Sequence, residues 1–329
     1  MEQALKLFRV HAAVVCVLAG LTSISAVAQS DFPAKSIRMV VGFTAGGISD
    51  VLARALGARL SAQVGQQVVV DNRAGAGTTI AAELVAKAPP DGYTLFMQDM
   101  TTQAINASLY KKLPYDTVKD FTPITLVAAS PLMLVVHPSL PVKSVKELIA
   151  LGKAKPGQIP FASSGNGTIL HLAAETFKTM GGIDLIHVPY KGSAQAVQAL
   201  LAGEVAVTFS TMPPALANVK AGRLRALGVT TPKRNAAAPE VPTVAEGGLK
   251  GFDVVLYSGV LGPAGLPAAV VGKLNAEFIK AVNAAEVKTV YASLGVDAIT
   301  DTPAEFAAHI AADIDKLGKA VRASGARVD

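Results

Sequence analysis

Cysteine is almost missing from this chain of 329 residues, which has one, and tryptophan is missing altogether. The single cysteine, Cys16, lies in an N-terminal apolar run that reads as removable, so the remaining chain would hold no thiol. Disulfides, thiolate catalysis and cysteine-based metal sites are excluded together. Aromatic residues make up only 5% of the chain, so the expected core is mainly Ala, Val, Leu and Ile. No internal stretch approaches the roughly 18 uninterrupted apolar residues of a bilayer-spanning helix. The net charge of +6 comes from scattered residues, without a Lys/Arg run or interleaved aromatics. That argues against a nucleic-acid groove, which concentrates basic residues and stacking rings on one face. A mild positive bias suits the steering of a small anion, and equally ordinary solubility.

The first 28 residues stand apart. Lys6 and Arg9 precede an apolar run from Val10 to Leu21, and Ala26-Val27-Ala28 comes after it. This is the pattern of an export signal, with cleavage expected after Ala28. Val15 stands where a lipoprotein signal wants a small residue before its cysteine, so no lipid anchor is expected. Removal of Glu2, Lys6 and Arg9 with residues 1–28 leaves +5 over 301 residues. In a bacterium the destination is the periplasm or the exterior.

The chain beyond residue 28 alternates strand and helix signals. IRMVVGF (37–43), QVVVDN (67–72) and YTLFMQ (93–98) read as short apolar strands, with helical stripes between them. A second series starts near Leu126 with a strand signal that Pro131 should interrupt. It continues through FASS, HVPY, EVAVTF and LRALGVT, each followed or preceded by a helix. The last third holds a strand near 254–257, a long helix from Pro267 and a final helix striped by Phe306, Ile310, Ile314, Leu317 and Val321. The pattern predicts parallel α/β sheets covered on both faces. It also predicts two domains, 29–130 with 254–329 and 131–253, joined by crossings near 130 and 253.

Three strand–glycine–helix junctions carry the chemical interest: GFTAGGISD (42–50), NRAGAGTT (72–79) and ASSGNGT (162–168). Free N–H groups and the positive end of a helix dipole suit an anion. Ligands of open α/β sheets bind at the carboxyl ends of strands. Thr44, Ser163, Ser164 and Thr168 could orient such an anion through their hydroxyls. Any one loop is also what a short turn requires, and none has the Gly-Lys-Ser/Thr ending of a P-loop.

Enzyme chemistry finds little footing. The histidines after the signal, His137, His171, His187 and His309, lack the spacing of helix-borne metal ligands, and no metal or cofactor is expected. There is no G-x-S-x-G elbow. His171, one turn beyond ASSGNGT, could line a pocket. Asp50 reads as a partner of the first helix end rather than a base.

Taken together, FPAKSIRMVVGFTAGGISDVLAR, VVVDNRAGAGTTIAAELVAKAPPDGYTLF, FASSGNGTILHLAAETFK and HVPYKGSAQAVQALLAGEV resemble the Bug-type substrate-binding proteins of tripartite tricarboxylate transporters. The resemblance implies a type II periplasmic-binding fold, two α/β domains with a ligand cleft between them. It implies a monomer that takes a small carboxylate, a di- or tricarboxylate or related acid, to the membrane subunits of such a transporter. The site it implies comprises Phe43, Gly46 and Gly47 in one loop and Ser163, Ser164, Gly165 and Thr168 in the other, with Tyr190 beside them. Thr44, Asn166, His171 and Ser210 complete the candidate set, and AGAGTT is set aside as structural.

The chain departs from the family at informative places. The usual PFPPGG is here GFTAGG, with Gly42, Thr44 and Ala45 for three prolines. Ser210 stands where the family often has Asp, which would disfavour an amino-acid ligand if that position faces the cleft. Tyr257 replaces a common Trp. Two alternatives stay open: an exported sensor subunit for a carboxylate, and an exported hydrolase using Ser163 or Ser164 with His171.

Overall fold

The structure, a computed structural model, describes residues 32–324. The export signal expected at 1–28 lies outside the described residues. By internal contact the chain separates between Ala34 and Lys35, and the α/β fold is built from Lys35 onward.

The elements run in order β1 (Ile37–Val41), α1 (Ile48–Val64), β2 (Val68–Asn72), α2 (Thr79–Ala86), β3 (Thr94–Asp99) and α3 (Met100–Leu109). Then come β4 (Phe121–Val136), α4 (Val145–Ala154), β5 (Pro160–Ser163), α5 (Ile169–Gly181), β6 (Ile186–Pro189) and α6 (Ser193–Leu201). Next in the chain are β7 (Val207–Thr211), α7 (Met212–Lys220), β8 (Arg225–Val229) and β9 (Val255–Pro263). The chain closes with α8 (Ala268–Asn283), α9 (Ala285–Leu294), β10 (Asp297–Ala298) and α10 (Pro303–Ser324).

Strand order is β2-β1-β3-β9-β4-β7-β5-β6, with β8 and β10 also paired to β4. β4 is the element that joins the halves. Its residues Phe121 to Pro131 run antiparallel to β9, and Leu132 to Val136 pair with β7 and β8. The expected interruption at Pro131 does not occur, and one strand of 16 residues passes straight through. Proline removes one ladder donor without bending an extended backbone, and it falls where the strand changes partners. The expectation of parallel sheets holds for β1, β2 and β3 and for β5, β6 and β7. It fails for β4 and β9, which return antiparallel and carry the chain between two α/β lobes.

Burial tracks the sheet order. β1 is buried at four of its five positions, whereas β2 and β6, at the two ends, are half-exposed. Most core residues are aliphatic, as composition requires, but phenylalanines anchor each half. Phe177, Phe209 and Phe252 meet with centroids 5.7–6.3 Å apart, and Phe96, Phe121 and Phe306 share a cluster with Val40 and Leu261. Such ring pairs contribute roughly 0.5–1.5 kcal/mol beyond their buried area. Of the stripe expected on α5, Ile169, Ala173 and Phe177 are buried, while Met180 in the last turn is 40% exposed.

One helix escapes the apolar pattern. α3 reads MTTQAINASL, and its polar Thr101, Thr102, Gln103 and Asn106 are all buried. Its start is nonetheless written in the sequence: the Asp99 carboxylate accepts hydrogen bonds from the N–H groups of Thr101 and Thr102.

Candidate functional site

The first glycine junction is shaped by close approaches. A Cβ on Gly42 would sit 2.7 Å from Thr78 Cβ, so glycine lets the end of β1 reach the AGAGTT segment. Gly46 N–H donates to Asp50 at 2.9 Å, and Arg54 pairs with the same carboxylate. Burial alone would raise the Asp50 pKa, but Arg54, the Gly46 N–H and Asn72 outweigh it and hold the group below its ordinary value. Asp50 is thus a partner of the loop and of Arg54. Gly47 caps α1 without a side-chain hydrogen bond.

The second junction is a knot of hydroxyls. Thr168 Oγ1 donates to the Gly165 carbonyl at 2.8 Å and accepts from Ser164 Oγ at 2.9 Å. Ser163 Oγ lies 2.6 Å from His187 Nε2 and 3.1 Å from both the carbonyl and the N–H of Gly165. All three contacts are satisfied together when His187 donates from Nε2 and Ser163 donates to the carbonyl. Ser163 is therefore held by both backbone groups of Gly165. The serine's partner is His187, not His171. The His171 ring stacks on His187 at 4.0 Å and accepts the Gly167 N–H at its Nδ1.

Burial, then the His171 and Lys178 charges, pushes His187 down to about 3. In the unfolded chain the group titrates near 6.5. As pH falls from 6.5 toward 3 the unfolded state takes a proton that the folded site refuses, so His187's contribution to stability is lost over that window. The expected result is an imidazole that stays neutral at pH 4 by NMR; titration of His187 near pH 6 would contradict the buried stack. The single-site readout matters because a second buried group, Asp99, shifts stability with the opposite sign.

Between the lobes lies a small cavity of about 20 Å³, lined by Phe43, Gly47, Ile48, Ser49, Asp99 and Ser164, and by Leu170, Ser193, Thr211 and Leu256. Four helices begin at its wall. α1 starts at Gly47, α5 at Thr168, α6 at Gly192 and α7 at Thr211; none is capped by its own N-cap side chain, and of their first N–H groups that of Ile169 in α5 donates to Thr102 Oγ1 at 3.3 Å. Their first N–H groups have no intrahelical acceptor, and each end carries about half a positive charge. Ser49 Oγ and Thr211 Oγ1, both in this wall, are buried without a hydrogen-bond partner among the described residues. The fifth helix start, α3, is the exception because Asp99 caps it. Asp99 is 1% exposed and, among the described residues, is the only ionisable one in the lining. Burial, against the opposing bonds from Thr102 and Thr101 and with a further push from Asp313, raises its pKa to about 6.

Of the residues singled out from sequence, Phe43, Gly47 and Ser164 line the cavity. Thr44 lies at the seam, its N–H donating to Lys191 O at 3.3 Å. Gly46, at the same seam, lies beside Ala194. Ser163, Gly165 and Thr168 are bonded together beside Ser164, and His171 accepts the Gly167 N–H; none of these four lines the cavity. Asn166 has an exposed side chain, and its carbonyl lies against Gly77. The Tyr190 hydroxyl turns outward to Glu204 at 3.2 Å. Ser210 Oγ pairs with Ser193 Oγ at 2.9 Å, one layer behind the wall. The acid in the lining is Asp99, from an element with no apolar stripe to announce it. AGAGTT also has more than a local role: a Cβ on Gly77 would lie 2.8 Å from Asn166 O across the seam.

This architecture defines a two-lobed α/β protein of the type II periplasmic-binding kind, with its ligand cavity between the lobes. The chain belongs to the tripartite tricarboxylate transporter receptor family, whose description matches residues 52–326. It is 41% identical over 273 residues to a UPF0065 protein from the tcbD-tcbE intergenic region of Pseudomonas sp. strain P51, covering 83% of this chain and 81% of that one. It is 36% identical to protein BugT of Bordetella pertussis, over 96% of this chain and 98% of the other. Three solved structures superpose closely. A periplasmic transporter matches with a TM-score of 0.87 at 37% identity, over 91% of this chain and all of that one. An R. palustris protein with adipate gives 0.87 at 36%, over 90% of this chain and all of the other. MatC of Rhodopseudomonas palustris with bound malate gives 0.83 at 30%, over 88% and 100%.

Proposed function

We propose that this chain is an exported solute-binding protein, cleaved after Ala28, that captures a small carboxylate as two lobes close. One lobe runs to residue 130 and resumes at 254, and the other spans 131–253. The loaded monomer passes its ligand to the membrane subunits of a tripartite tricarboxylate-type transporter. The observation that carries the reading is the convergence on one cavity of four helix starts, none capped by its own N-cap side chain, with no Lys, Arg or His among the described residues of its lining. Backbone N–H groups hold a carboxylate there by directed bonds and dipole charge, without a titrating cation. Relatives that bind adipate and malate support the ligand class. At about 20 Å³ the cavity lies far below the roughly 300–1,000 Å³ of ligand pockets, so the reading requires the lobes to part before a compact guest enters.

Binding without turnover is the chemistry this arrangement supports. Ser163 is fully buried, its hydroxyl bonded to both the N–H and the carbonyl of Gly165. Native mass spectrometry of gently purified protein tests the reading by the mass of any co-purified ligand. A matched carboxylate at 100 times its Kd should then stabilise the fold by about 2.7 kcal/mol. A co-purified nucleotide, or ester hydrolysis abolished by Ser163→Ala, would overturn it.

A further inference from the structure

We propose that Asp99 sets the specificity of the cavity, favouring a carboxylate that also carries an amino or hydroxy donor over a simple dicarboxylate. This rests on the proposed carboxylate binding and narrows it. Every other helix start at the wall presents N–H donors, whereas α3 presents an acceptor. Asp99 Oδ1 accepts the N–H groups of Thr101 and Thr102, and Oδ2 accepts only the Thr102 hydroxyl. Oδ2 therefore keeps acceptor capacity, on a residue of the cavity wall.

No basic side chain among the described residues lines the cavity to balance this carboxylate. The charged groups nearest on the packed helix α10 are Asp313, which adds repulsion, and His309, which is already paired with Asp313 at 3.2 Å. From β3 and β9 the flanking side chains are the neutral Gln98 and Ser258. A buried, unpaired carboxylate is costly, and a ligand ammonium or hydroxyl relieves that cost. A second ligand carboxylate placed there adds like-charge repulsion unless one of the pair holds a proton. Because burial raises the Asp99 pKa to about 6, dicarboxylates should bind better below that pH than above it.

The test uses titration calorimetry on the full mature protein at pH 8 and pH 5. The probes are aliphatic acids in matched sets, unsubstituted and with amino, hydroxy or carboxy substituents at either end of the chain. At pH 8 the best amino or hydroxy acid should exceed the dicarboxylate of equal length by 10-fold or more. Asp99→Asn, which keeps shape and the N-cap acceptor, should erase or reverse that ratio, and lowering the pH to 5 should shrink it in wild type. A dicarboxylate preferred by wild type at pH 8, or a ratio unchanged in Asp99→Asn, would sink the proposal while leaving carboxylate binding standing. If no acid in any set binds either protein, the carboxylate reading itself fails.

Discussion

Gly192→Ala should weaken ligand binding by 100-fold or more while leaving the melting temperature of the ligand-free protein nearly unchanged. Gly192 has φ 162° and ψ 162°, extended backbone that alanine adopts without strain. The obstacle lies across the seam. A Cβ there would sit 2.3 Å from Thr44 Oγ1 and 3.0 Å from Thr44 N, beside the bond from Thr44 N–H to Lys191 O. Rotating Thr44 relieves the first contact but not the second, so the two loops must part. A closed state disfavoured by about 3 kcal/mol lowers affinity by roughly two orders of magnitude. Calorimetry on Gly192→Ala, and on Gly192→Ala with Thr44→Gly, separates this from local damage. The second change should restore part of the affinity. Binding within threefold of wild type in Gly192→Ala would show that the liganded protein does not close along this seam.

The residues in this seam also show where the sequence was readable. The glycine junctions after β1 and β5 stood out as ends of apolar strands, and the structure brings both to the cavity. Ser164 could be named because its hydroxyl belongs to such a junction, and Phe43 and Gly47 because the family resemblance points to the same first loop. Asp99 could not, because periodicity needs an apolar stripe and α3 buries threonine, glutamine and asparagine instead. A capping aspartate directly after a strand was the available signal. Ser193 and Thr211 enter the wall as the first residue of α6 and the cap of α7, positions fixed only once β4 has paired with β7. Ser163 was legible as a site residue, but its partner was not. Which histidine reaches it depends on β5 and β6 lying parallel, with Ser163 opposite Pro189 and His187 two residues back. The third glycine segment looked structural because its own motif is incomplete. Its importance lies in what crosses over to meet it, Asn166 against Gly77, and no local pattern encodes a contact between residues so far apart.

The largest expected loss of stability comes from Phe306→Ala, at about 3–5 kcal/mol. Phe306 is fully buried in α10 and packs with Val40, Phe96 and Leu261 on the central strands. Its ring rests directly on Gly259 of β9, where a Cβ would lie 2.3 Å from Phe306 Cζ. Glycine is present there because the ring occupies the space of a side chain. Gly259→Ala alone should therefore overpack the core and cost about 1–3 kcal/mol. Combined with Phe306→Ala, the new methyl falls into the vacated volume and should cost little or stabilise. The coupling between two residues in contact can reach several kcal/mol, so the double-mutant cycle by urea unfolding is decisive. Additive losses would show that the ring and Gly259 do not compete for one space. The effect should extend to the cavity. α10 also packs on α3, with Val321 clustered against Ile105 and Leu109, and α3 begins at Asp99. Loosening α10 frees the helix that holds the charged group of the lining, so Phe306→Ala should blunt discrimination between donor-bearing acids and dicarboxylates before it abolishes carboxylate binding.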